Sequence, residues 1–323
     1  MDALGQTGKL AFGPVPSRRL GRSLGINNIP AKSCTYSCVY CQVGNTLTLT
    51  AERQHFYTPR AIFSEVKKKV DEGSLRNENA DYLTFVSNGE PTLDVDIGRE
   101  ISSLKSIGIP VAVLTNASLM WRRDVQEDLL GADLVSVKVD AVSEDLWKEM
   151  NRPHKNLRLH SILKGIMGFA EDFEGVLISE TMLVDGINYG NEFERIADLL
   201  GQVEGLDKAY LAIPARPPAE KWVKPAKEDV LNTAFQAFAD RLGQNEVECL
   251  TGYEGNAFAS TGEPESDLLS ITAVHPMRRE AVEELLNKSG ASWDLIKRLI
   301  HERKLVELGY EGTTFYLRRL LGR

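Results

Sequence analysis

Six short apolar runs, near residues 23–29, 82–87, 111–115, 134–139, 176–183 and 209–213, alternate with segments of helical period near 59–70, 94–106, 120–130, 157–172, 190–203 and 227–242. Alternation of this kind builds βα units, and βα units build a parallel sheet whose helices cover one face. Six units are too few to close an eight-stranded barrel, so the expected architecture is an open, curved, partial (β/α)6 barrel. With 42% hydrophobic and 26% charged residues the chain can bury a sizeable core, which excludes a disordered or membrane-spanning class. No apolar run approaches the length of a spanning helix and no apolar leader opens the chain, so no membrane partner and a cytoplasmic location are expected. A net charge of −8 argues against a general polyanion binder while allowing a local basic surface.

Between the first and second strands lie Cys34, Cys38 and Cys41, spaced C-x3-C-x2-C, with Tyr40 directly before the third. Three thiolates on one short loop can reach three corners of an iron–sulfur cube and leave the fourth iron open to an outside ligand. Zinc is the competing reading, but zinc sites use paired cysteines and four protein ligands. Only Cys249 remains, and the five histidines show no ligand spacing. Four cysteines in 323 residues do not make a disulfide framework.

The cysteine spacing, the aromatic residue before the third cysteine and the segment 13–24 (GPVPSRRLGRSL) followed by Ile26-Asn27 resemble the radical S-adenosylmethionine (SAM) superfamily. The similarity is to its Fe–S oxidoreductase-like branch related to wyosine-base synthases, over about residues 10–260. The resemblance implies a partial barrel, a [4Fe–4S] cluster on Cys34, Cys38 and Cys41, and SAM bound at the open iron. One electron from a donor of flavodoxin or ferredoxin type would then cleave SAM to methionine and a 5′-deoxyadenosyl radical, which abstracts a substrate hydrogen. It also implies that Tyr40 lies against the adenine. The wyosine synthases carry extra cysteines that this chain lacks, so a pyruvate-condensing role for Lys138 does not carry over.

The strands name further candidates. Ser136, Lys138 and Asp140 share one face of the fourth run, and Ile178, Glu180 and Met182 one face of the fifth. The apolar face of a barrel strand packs on helices, so Lys138, Asp140 and Glu180 should point inward. They read as a catalytic or substrate-holding constellation, or alternatively as a structural ion pair. Barrel sites form at the C-terminal ends of strands. There Gly89, Glu90 and Pro91 form the superfamily's Gly-Glu-Pro element, in which Glu90 would accept the SAM ammonium. Asn116 and Ser118 offer polar groups to ribose or carboxylate oxygens at the same rim, with helix capping the alternative for Ser118. Arg216, Glu220 and Trp222 sit on a proline-stiffened segment and are candidates for substrate contact. The cluster Arg18, Arg19, Arg22 suits an anionic substrate or open solvent. Cys249 reads as a small buried hydrophobe.

Residues 1–250 are thus assigned to the barrel, 251–265 to a linker and 266–323 to a small second domain. Its pattern is a strand or helix at 268–274, helices at 277–287 and 292–303, and a hairpin from 305–308 to 314–317. The order resembles a winged helix. Lys297, Arg298, Arg303 and Lys304, with Arg318, Arg319 and Arg323, suit nucleic acid, while interspersed carboxylates leave peptide binding or a purely structural role open. The expected function is hydrogen abstraction by a radical SAM enzyme acting on RNA, or alternatively on a peptide or protein. A cluster- and SAM-binding regulator without turnover is the non-enzymatic alternative.

Overall fold

The structure is a computed structural model and describes residues 9–319 except 253. Arg323 lies outside the described residues. Its main sheet holds eight strands, of which three at its N-terminal edge are β1 (Ala11–Ser17), β2 (Gly21–Ile26) and, after the cysteine loop, β5 (Tyr82–Phe85). Within the loop, β3 (Ser33–Cys34) pairs in parallel with β4 (Thr48–Leu49). Across the main sheet follow β6 (Val111–Thr115), β7 (Leu134–Lys138), β8 (Val176–Met182), β9 (Leu206–Ala212) and β10 (Val247–Leu250). From β2 to β10 every pairing is parallel, while β1 runs antiparallel to β2.

All six expected strands are present. The sheet gains β10 at one edge and β1 at the other. The prolines of β1 hide it in the sequence, since proline punctuates turns, yet an edge strand tolerates it because one side needs no ladder hydrogen bonds. The hairpin puts Arg18 and Arg19 on the turn between its strands.

Seven helices pack around the sheet: α1 (Pro59–Ser74), α2 (Ile97–Lys105), α3 (Arg123–Leu129), α4 (Glu144–Asn151), α5 (Leu159–Asp172), α6 (Glu192–Leu200) and α7 (Glu228–Leu242). Thr58 caps α1 through the Ala61 amide, with Pro59 in the first turn. The strand alternation sorts the two faces. Val135, Val137 and Val139 join the main core with Ile166 and Phe169 of α5. Leu20, Ala112, Leu134, Ile178, Tyr210 and Leu250 form a separate apolar plug inside the sheet's curve. No helix among the described residues is long and apolar enough to cross a membrane.

The C-terminal part follows the order α8 (Pro264–Val274), β11 (Met277–Arg278), α9 (Arg279–Ser289), α10 (Asp294–His301), β12 (Leu305–Tyr310), β13 (Thr313–Arg318). Its strands form a three-stranded sheet with β13 in the centre. The 268–274 segment is helix, and α8 starts inside the expected linker at Pro264. That linker is tied down. The Ala259 amide donates to Pro14 O, and Asp267 accepts from the Thr261 amide and both hydroxyls of Ser260 and Thr261. Phe12 and Val15 of β1 belong to one buried cluster with Phe258, Leu268 and Ile271.

Candidate active site

The cysteine loop rests on the C-terminal end of α4. The last carbonyls of a helix lack intrahelical donors, and here the loop supplies them: Val39 N donates to Met150 O at 2.9 Å and Ser37 N to Asn151 O at 3.0 Å. Arg152, in the left-handed region at φ 46°, turns the chain there. Trp147 of α4 donates its indole N–H to Tyr36 Oη at 3.1 Å with the rings edge to face. On the other side Gly89 meets the loop so closely that a Cβ would fall 1.8 Å from Ser33 O. Glycine is required there because the strand end and the residue before Cys34 touch backbone to backbone.

Two side-chain amides address the thiols. Asn116 Nδ2 lies 3.5 Å from Cys34 Sγ and 2.8 Å from Thr35 Oγ1, and Asn151 Nδ2 lies 3.5 Å from Cys38 Sγ. Burial, then Cys38 and Glu90, pushes the Cys34 thiol well above its usual value, and burial with Cys41 pushes Cys38 up to about 12. Thiols held so high become thiolates only when a cation supplies compensating charge. Among the described residues no three His, Cys, Asp or Glu side chains converge on one metal ion. Each thiolate of a cubane binds its own corner iron, so the three sulfurs need not meet at one point. The sulfurs with their amide donors therefore fit an iron–sulfur cluster.

Glu90 is buried among hydrogen-bond donors. Its Oε1 accepts from the Thr92 amide, the Thr92 hydroxyl and the Thr115 hydroxyl, its Oε2 accepts from the Asn116 amide, and the side chain is 1% exposed. It ties the ends of β5 and β6 together beneath the loop. Ser118 is likewise fully buried and donates to Thr35 Oγ1 at 2.6 Å, and the next helix is capped at Arg122 instead. Asn116 and Ser118 together hold Thr35, a residue the sequence did not single out. Pro91 is buried and opens a short 3-10 turn.

Beside the apolar plug the barrel interior holds a cavity lined by residues of the cysteine loop, β7, β8, the β1–β2 turn and the C-terminal part, charged and apolar side chains together. Lys138 Nζ donates to Glu180 Oε1 at 2.5 Å and lies 4.0 Å from Asp140 Oδ1 and 5.1 Å from the Tyr40 ring centre. Arg19 pairs with Glu180 Oε2 at 2.6 Å and reaches Ser136 Oγ at 3.4 Å. Burial opposes charge on Glu180, but Arg19 and Lys138 outweigh it and hold the carboxyl down at about 2. Lys138 is shifted up: burial acts against its charge, and Glu180 and Asp140 overcome that. Asp140 lies behind this layer, accepting from Tyr40 Oη, from Asn151 Nδ2 at 2.7 Å and from the Met182 amide at 2.8 Å. Tyr40 thus bridges the cysteine loop and β7.

At the mouth, Arg216 donates to Gln42 Oε1 at 2.7 Å, ion-pairs with buried Glu254 and lies 3.2 Å from His275 Nε2. Burial and then Arg216 hold the His275 ring well below its usual value, so it is neutral at pH 7. Gln42 Nε2 also donates to Val274 O at 3.0 Å. The end of α8 therefore forms one wall of the cavity. Glu220 does not line the cavity and pairs with Arg152 at 2.5 Å, and Trp222 is 46% exposed at the surface. Of the three candidates on this segment, Arg216 alone reaches the site. Arg22 pairs with Asp81 outside it, and Cys249 is half-buried on β10.

Comparison with known proteins agrees with this architecture. Residues 28–200 match the family model of the radical SAM superfamily. The chain belongs to the radical SAM superfamily. It is 48% identical over 315 residues to UPF0026 protein MJ1312 of Methanocaldococcus jannaschii, covering 97% of each chain. Its fold is similar to that of TYW1 solved with a lysine–pyruvate adduct, at a TM-score of 0.54 and 14% identity over 69% of this chain and 75% of that one. A radical SAM methyltransferase from Sphaerobacter thermophilus matches at 0.54 and 14% over 71% and 67%. As a member of this superfamily the protein is an enzyme that uses a [4Fe–4S] cluster and SAM, and enzymes of this kind need a reductant.

Proposed function

We propose that the enzyme abstracts hydrogen from a small-molecule substrate that brings an anionic group into the barrel cavity. The observation that carries this reading is the cavity's charge: Arg18, Arg19, Lys138 and Arg216 line it against two carboxylates, Glu180 and Glu254. Cys34, Cys38 and Cys41 would hold the cluster, which with SAM would supply the 5′-deoxyadenosyl radical. The protein's part is orientation. Asn116 and Asn151 hold the sulfurs, Tyr40 and Asp140 fix the loop against β7, and the Arg19–Glu180–Lys138 chain sets a rigid cationic surface for the substrate. Lys138 is a poor amine nucleophile here, because Glu180 and Asp140 favour its ammonium form, whereas a lysine that condenses with carbonyls must be readily deprotonated. Trapping with borohydride in the presence of pyruvate should therefore leave the Lys138 peptide unmodified.

RNA modification is the second reading, supported by the likeness to TYW1 and by the helix–strand order of the C-terminal part, which suits a winged helix. The ion pairs of α10 weigh against it. Arg298 and Lys304 both pair with Glu265 and Glu302, and Lys297 pairs with Asp294, so little basic charge is left for phosphates. The test is anaerobic 5′-deoxyadenosine formation with size-separated cell fractions. Stimulation by the small acidic metabolites supports the first reading, and stimulation by RNA or peptide alone overturns it.

A further inference from the structure

Reductive cleavage of SAM consumes one electron, and this chain cannot store a spare one in a second iron–sulfur centre: it has four cysteines, three of them in the loop. The electron must arrive from another molecule at a surface close to the loop. A groove on α4 and the segment after it has the required position and chemistry, and it shares no residue with the barrel cavity.

The groove is lined by Lys148, Arg152, Lys155 and Arg158 with one carboxylate, Glu144, over an apolar floor of Trp147, Leu157 and Leu49. Lys148 pairs with Glu144 at 3.0 Å and Arg152 with Glu220. Lys155 and Arg158 form no ion pair among the described residues. Arg158 is held at the rim by donating to the carbonyls of Lys155 and Leu157. Such a basic rim is conspicuous on a chain of net charge −8. Leu49 is 40% exposed, and Leu47, two residues before it, is 52% exposed. An apolar centre with a charged rim is the general anatomy of a protein interface.

The groove also lies against the back of the cysteine loop. Arg152 directly follows Asn151, whose amide is 3.5 Å from Cys38 Sγ. Trp147 in the floor donates to Tyr36, between Cys34 and Cys38, and His154 N donates to Thr35 O at 2.9 Å. The groove therefore abuts the loop that carries the three cysteines.

We propose that this groove docks the electron donor, a small acidic one-electron carrier protein of flavodoxin or ferredoxin type. The inference rests on the radical SAM assignment. One electron leaves the carrier's reduced centre and enters the cluster, with no bond made or broken and no proton moved. Redox encounters of this kind use small interfaces, and their rim charges act mainly on the association rate.

Two readouts test it, one of them independent of the cluster. Binding of an acidic flavodoxin, or of a ferredoxin, to the cluster-free chain is compared with the double variant Lys155→Glu/Arg158→Glu and with Leu49→Asp. Stopped-flow reduction of the reconstituted cluster is then driven by the reduced carrier or by dithionite. Charge reversal should weaken carrier binding and slow carrier-driven reduction about tenfold or more, as should raised ionic strength. Dithionite-driven reduction should stay at the wild-type rate. The proposal is overturned if neither carrier binds the wild type, if the variants bind as well as the wild type, or if dithionite-driven reduction falls by the same factor. It is also overturned if RNA fragments, and not the carriers, compete for the groove.

Discussion

Glu180 is the residue on which the cavity's electrostatics turn, because Arg19 and Lys138 both neutralise against it. Replacing it with Gln leaves two partly buried cations facing each other and should destabilise the fold by about 3 kcal/mol at neutral pH. The folded carboxyl titrates at about 2, below its usual 4.5, so its contribution is present in full above 4.5 and is lost as pH falls towards 2. Denaturant titrations of cluster-free protein should show the gap between wild type and Glu180→Gln narrowing over that range, and a gap constant with pH would refute the assignment. At this scale the sequence was partly legible. Inward Lys138 and Glu180 followed from strand period alone. The hydrogen bonds of Glu90 and Ser118 did not, since a rim position shows that a side chain is near a site, not which neighbours, such as Thr35, Thr92 and Thr115, it bonds. Arg19 was ambiguous until the β1–β2 hairpin showed where its turn points.

Among the elements, the cysteine loop is a clamped piece of chain, held by the α4 carbonyls on one side and by Gly89 on the other. Gly89→Ala would drive a methyl into Ser33 O and displace Cys34, since neither partner is a flexible side-chain end. Reconstituted Gly89→Ala should bind well under four irons per chain, as measured by iron and sulfide analysis with the visible spectrum. A full complement would show that the strand end yields. The helix α4 that carries the loop was missed in the sequence because it spans only eight residues, Glu144–Asn151. Its apolar Leu146, Trp147 and Met150 were the available signal, short for a periodicity argument. The long βα units were legible because their strands bury one face and their helices repeat over several turns.

For the whole molecule, the C-terminal part is a wall of the site rather than a tethered module. Val274 and His275 meet Gln42 and Arg216, and Tyr310 donates to Pro214 O at 2.9 Å. Composition rich in Gly, Ser, Thr and Glu pointed to a free linker at 251–265, but Asp267 and Pro14 supply partners that no local pattern reveals. Limited proteolysis of the native protein should spare 259–262, and rapid cleavage there with release of a C-terminal fragment would contradict the docked arrangement. The most direct test of the central claim is anaerobic: reconstituted protein, SAM and reductant, assayed for 5′-deoxyadenosine beside Cys41→Ala. The account predicts 5′-deoxyadenosine from the wild type and none from the variant. A wild type that carries its cluster and binds SAM but yields no 5′-deoxyadenosine, even with cell extract present, would contradict it.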